Sequence, residues 1–165
     1  MKINSICIKN YIVKNQNLWV FLDEDRIFDE LSFLKSLPSK KVFGVVLRTK
    51  NKKILYKKAK LISKVCRMKG YKLVVCFNPQ VAMAVGAYGV HFSRKIKNIR
   101  IFKKLSYSCS FHGFSDTRRA KNLKVKSVFI SPLFKTTSGK KKIPLGITRL
   151  LFLSRSLKCE IGILG

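Results

Sequence analysis

Residues 71–92 read YKLVVCFNPQVAMAVGAYGVHF. Tyr71–Phe77 is a short apolar run rich in branched residues, and Gly89–Phe92 is another. Neither alternates with polar residues, which predicts strands covered on both faces. Between them Gln80–Val85 is a small-residue segment closed by Gly86, which predicts a short helix. Strand, helix and strand in so few residues is a crossover unit, and a crossover makes its two strands parallel.

The same alternation extends both ways. Upstream, Leu18–Leu22 is an apolar run bounded by Asp23-Glu24-Asp25, and Val42–Leu47 is a second strand. Arg26–Leu37 carries apolar residues near helical spacing and is stopped by Pro38. Ile54–Met68 is the clearest helix: Leu55, Ala59, Ile62, Val65 and Cys66 form one face, lysines the other, and Gly70 suits the C-cap. Downstream, a basic helix is expected over Ile96–Leu105, a strand over Tyr107–Phe111, a helix over Thr117–Leu123 and a strand over Ser127–Ser131. A loop rich in Lys, Thr and Ser follows, then a helix over Leu145–Leu157 and a seventh strand over Glu160–Leu164. The pattern is α/β with a parallel sheet and one domain over residues 1–165. Residues 1–17 form an N-terminal extension to which no element is assigned. Two architectures satisfy it: an open doubly wound sheet, or an incomplete (β/α)₈ TIM-type barrel of about seven strands whose eighth βα unit is missing. No GxGxxG follows the first strand, which weakens dinucleotide binding.

The chain has 165 residues, 47% of them hydrophobic, enough for a core and against wholesale disorder. Lys and Arg total 36 against 7 Asp and Glu, a formal charge of +29. Such a surface attracts phosphorylated metabolites, nucleic acid or acidic headgroups. The cysteines, Cys7, Cys66, Cys76, Cys109 and Cys159, are odd in number and form no CxxC pair, which argues against a zinc knuckle or a disulfide framework. No apolar run approaches the ~18 residues of a membrane span. A cytoplasmic protein that makes no membrane contact is expected.

In either architecture the chemistry belongs at the strand C-termini. Those ends carry V-L-R-T-K (Val46–Lys50), F-N-P (Phe77–Pro79), G-V-H-F (Gly89–Phe92), S-F-H (Ser110–His112), S-P-L-F-K-T-T-S (Ser131–Ser138) and I-L-G (Ile163–Gly165). In order and spacing the series resembles the thiamine-phosphate synthase family and its thiazole tautomerase relatives. The resemblance runs from about Leu18 to the last residue. It implies a (β/α)₈ barrel and a transferase that joins hydroxymethylpyrimidine diphosphate to thiazole phosphate with release of diphosphate. Arg48, Lys50 and Asn78 would then hold the diphosphate, with Arg48 and Ser110 in catalytic roles. Thr136, Ser138 and the Gly165 backbone would cradle the thiazole phosphate, and His91 would shape the site. Mg²⁺ is the cofactor the resemblance implies, and phosphorylated small molecules are the partners.

Several positions depart from the family pattern. Pro79 and the stretch Ser93-Arg94-Lys95 stand where the family carries Mg²⁺-binding carboxylates, and Val46 replaces a Gln. Pro132 occupies the place of the tautomerase His, against that activity. An incomplete barrel leaves two strand edges without partners, so the chain is expected to be a fragment or to pair those edges with something else, an oligomer included. The competing functional class is a degenerate barrel that binds a phosphate ligand or nucleic acid without catalysis. The charge favours it, while the spread of cations over every helix and the lack of an RNP-like aromatic motif oppose it.

Overall fold

The computed structural model describes residues 18–39, 42–93, 101–135 and 143–164. Its seven strands are β1 (Leu18–Asp23), β2 (Val42–Arg48), β3 (Lys72–Cys76), β4 (Gly89–Phe92), β5 (Ser106–Phe111), β6 (Ser127–Ile130) and β7 (Glu160–Ile163). They are joined by α1 (Glu30–Ser36), α2 (Leu55–Lys69), α3 (Pro79–Ala84), α4 (Thr117–Asn122) and α5 (Gly146–Ser156). Every strand pairs in parallel with its sequence neighbour, in the order β1 to β7. A doubly wound sheet requires a reversal in strand order; none occurs here.

The sheet is curled. In a flat sheet β1 and β6 would lie roughly 24 Å apart, five spacings of about 4.8 Å. Instead Trp19 and Phe21 of β1 meet Phe129 of β6 edge to face, with ring centroids 5.6 and 5.1 Å apart. These rings and His91 belong to the concave face, where Val46, Val74 and Cys76 form a small apolar cluster with Trp19, Phe21 and Tyr88. Glycines make room for the large rings. A Cβ at Gly44 would collide with the Trp19 indole, and one at Gly162 would lie 2.5 Å from the Phe129 ring. The alternate residues, among them Val45, Leu47, Val75, Val90, Phe92, Cys109, Phe111, Val128 and Ile130, face the helices and build the larger core. The architecture is a (β/α)₈-type barrel of seven parallel strands.

Local chemistry explains the element boundaries. α1 starts later than its periodicity suggested. Arg26 and Ile27 donate backbone bonds to the Asp23 carbonyl in a turn, and Asp29 caps the helix by accepting from Ser32 N at 3.0 Å. α2 ends at Gly70 in the left-handed region, φ 72°. The helix expected over Ile96–Leu105 is not found where it can be followed: residues 101–105 form a turn into β5. The Tyr107 hydroxyl accepts from Phe102 N at 2.7 Å and holds that turn. Residues 94–100, 136–142 and 165 lie outside the described residues, as do 1–17 and 40–41. No helix among the described residues is long and apolar enough to cross a membrane.

Candidate functional site

Because all strands run one way, their C-termini share one rim, and Arg48 is the last residue of β2 on it. Strand register sets Arg48 beside Asp23, the last residue of β1, and Arg48 Nη1 lies 3.4 Å from Asp23 Oδ2. The arginine side chain is 60% exposed, the aspartate 16%. An exposed pair of this kind is worth under about 1 kcal/mol, so the carboxylate orients the guanidinium without consuming it. Lys50 makes a similar exposed pair with Asp25, Nζ to Oδ2 2.5 Å.

Glu24 locks this loop. Its carboxylate accepts from the Thr49 hydroxyl at 2.6 Å, from Lys50 N at 2.8 Å and from Lys58 Nζ at 3.3 Å. Those donors, the Thr49 hydroxyl foremost, bring its pKa down to about 2. The backbone between Arg48 and Lys50 is therefore held from below by a carboxylate that sequence reasoning passed over. Its only signal was an acidic triplet directly after a strand.

Asn78 follows β3 through a tight turn. Phe77 adopts φ 65°, and its N–H donates to the His91 carbonyl at 3.1 Å. Before a proline the α region is disfavoured, and Asn78 is extended, φ −126° and ψ 94°. Its Oδ1 accepts from Val81 N at 2.9 Å and caps α3. The side-chain amide nitrogen is the group left to meet a ligand.

His91 and Ser110 are neighbours on the concave face. His91 Nδ1 lies 3.0 Å from Ser108 Oγ, and Nε2 lies 3.0 Å from Ser110 Oγ. Burial, reinforced by the charges of Arg48 and Arg119, pushes the imidazole down to about 3. It is neutral at pH 7, so one nitrogen donates to a serine and the other accepts from one. The ring is a fixed hinge for the Ser110 hydroxyl. Cys76, on the neighbouring strand, has its thiol pushed up to about 12 by burial, and remains protonated.

Arg119 was not singled out from the sequence, where it is one of 36 cations. From α4 it reaches back to the rim. Nη1 donates to the Ser93 carbonyl at 2.5 Å, Nη2 donates to the Ser110 carbonyl, and Asp116 lies 3.6 Å away. Asp116 also accepts from His112 N at 2.8 Å, and His112 Nδ1 donates to the Ser131 carbonyl at 2.5 Å. The ends of β4, β5 and β6 are thereby tied together. The i,i+3 spacing of Asp116 and Arg119 was the available signal.

The structure thus brings Arg48, Lys50, Asn78, His91 and Ser110 to one rim. Thr136, Ser138 and Gly165 lie outside the described residues. Val46 is fully buried in the concave apolar cluster. The described residues of the site do not fit Mg²⁺. The ion takes oxygen ligands in octahedral geometry, yet Pro79 is a buried apolar ring and Asp23, Glu24 and Asp25 are each engaged by a cation. Among the described residues no group of three or more His, Cys, Asp or Glu could hold a metal ion.

Comparison with known proteins shows similarity to a protein family and to solved structures. The family model described as thiamine monophosphate synthase matches residues 20–165. The solved structure of thiamine phosphate pyrophosphorylase from Pyrococcus furiosus is similar in fold, with a TM-score of 0.76 and 19% identity, over 90% of this chain and 74% of that one. No curated protein matches the chain.

Proposed function

The chain belongs to the thiamine monophosphate synthase family, and on that premise we propose that its barrel mouth joins hydroxymethylpyrimidine diphosphate to thiazole phosphate in the cytoplasm. In this reaction the bond between the pyrimidine methylene carbon and the diphosphate oxygen breaks, and its electron pair leaves with the diphosphate. The thiazole nitrogen lone pair forms the new carbon–nitrogen bond. Charge grows on the departing diphosphate, so fixed donors must face it before it leaves.

Arg48 supplies the planar two-donor grip, Lys50 a point charge and the Asn78 amide a neutral donor. Ser110 donates its hydroxyl toward the pyrimidine or its leaving group, oriented by the neutral His91 imidazole. Thr136, Ser138 and the Gly165 backbone hold the thiazole phosphate. The observation that carries the reading is the shared rim: Arg48 ends β2, Asn78 follows β3, and His91 of β4 is bonded to Ser110 of β5. No step is routed through Mg²⁺, because Pro79 and the cation-bound carboxylates offer it no ligand set.

Turnover is expected to be slow, since cations neutralise charge without the in-line geometry a bridging metal provides. The test is thiamine-phosphate formation by the purified protein across a Mg²⁺ titration, beside Pro79→Asp. Weak formation that changes little with Mg²⁺ in the wild type, and gains Mg²⁺ dependence in Pro79→Asp, is the expected result. Absence of product, or robust Mg²⁺-dependent wild-type turnover, contradicts this description of the site.

A further inference from the structure

The carboxylates and the cations of this chain are not distributed alike. Asp23, Glu24, Asp25, Asp29 and Glu30 follow β1 and Asp116 precedes α4, so six of the 7 acidic residues lie at the mouth end. There they pair with Arg48, Lys50, Lys58 and Arg119. Only Glu160, the first residue of β7, lies at the opposite end, where the strands begin.

That opposite end is cationic. Lys103 and Lys104 precede β5, and Lys124 and Lys126 precede β6. The four line a concavity of about 410 Å³ together with Tyr88 and Ser106. All four are exposed, and among the described residues none forms an ion pair. Their backbone is rigid: Ser106 N donates to the Tyr88 carbonyl at 3.0 Å, and Lys126 N to the Tyr107 carbonyl at 2.8 Å. Two lysines lead into β5 and two into β6, and these strands are paired, so the four ammonium groups stay close together. An anion with repeated charges relieves their repulsion.

We propose that this end of the barrel is a docking face for the phosphodiester backbone of nucleic acid, separate from the phosphate chemistry at the mouth. The lysines lie in the segments that lead into β5 and β6, neighbouring strands spaced by about 4.8 Å, and present clustered positive charge to successive phosphates. They are point charges that attract phosphates whatever the bases, so binding is expected to be independent of sequence. The lining offers no exposed aliphatic or aromatic side chain to insert into a bilayer, which separates this face from a membrane anchor.

The test is fluorescence anisotropy of a labelled mixed-sequence DNA duplex between about 50 and 200 mM salt. Four phosphate contacts contribute about −3.6 to the slope of log K against log salt. The variant Lys103→Gln/Lys104→Gln/Lys124→Gln/Lys126→Gln is expected to lose most of that contribution. A matched variant, Lys53→Gln/Lys57→Gln/Lys60→Gln/Lys64→Gln, removes the same charge from exposed positions at and just before α2, and is expected to keep it. Both should unfold at the wild-type denaturant midpoint and bind pyrophosphate as the wild type does. Equal losses in the two variants would show diffuse charge and overturn the proposal. So would absence of DNA binding by the wild type, or binding to vesicles of anionic lipid without binding to DNA.

Discussion

His91 shows how a single residue can be legible in place and not in role. The motif Gly89-Val90-His91 put it at a strand end, but an apolar strand gives no sign of what its ring will touch. The fold buries the ring, gives it Ser108 and Ser110 as partners and sets the charges of Arg48 and Arg119 around it. With its folded pKa near 3 against an ordinary 6.5, the folded chain refuses a proton that the unfolded chain accepts. Stability should therefore fall as pH drops below 6.5, by up to ~1.4 kcal/mol per unit, down to about pH 3. Urea unfolding of the wild type and His91→Gln between pH 7 and 4 checks this. The variant should lack that part of the slope; parallel profiles would mean that the imidazole ionises in place. Glu24 and Arg119 left only faint signals, an acidic triplet after a strand and an i,i+3 spacing, because burial and reach, not residue type, distinguish them from the other charges.

At the scale of elements, the strands were readable because each apolar run is bounded by polar or turn residues. The choice between a doubly wound sheet and a barrel was not readable from those runs, since both alternate strand and helix. It is made by nonlocal facts: neighbour-to-neighbour pairing throughout, and glycines opposite Trp19 and Phe129 that let the sheet close on its rings. The turn at residues 101–105 escaped the helical reading because a hydroxyl from the next strand, Tyr107, secures it. α3 offers a separable test of structure and binding. Asn78→Ala removes the cap and should cost about 1 kcal/mol of stability. Asn78→Asp keeps a capping oxygen and loses the amide donor. It should unfold like the wild type in a thermal melt while binding pyrophosphate more weakly. Unchanged affinity in Asn78→Asp would remove the residue from the site.

For the whole molecule, the formal charge of +29 pointed to anions without saying where they bind. From the sequence the cations look evenly spread; the topology sorts them, because a parallel sheet sends every strand start to one end and every strand end to the other. Carboxylates temper the cations at the mouth, where a small phosphorylated ligand must be oriented, and are nearly absent from the other end. The central claim is that the mouth holds a diphosphate through fixed protein cations, Arg48 first among them. Calorimetric titration of pyrophosphate into the wild type and Arg48→Ala, with divalent ions chelated, tests it most directly. Loss of a charge-assisted contact is worth about 1.5–3 kcal/mol, so the account predicts wild-type binding weakened roughly 10- to 150-fold in the variant. Equal affinities in the two proteins, or no wild-type binding, would contradict it.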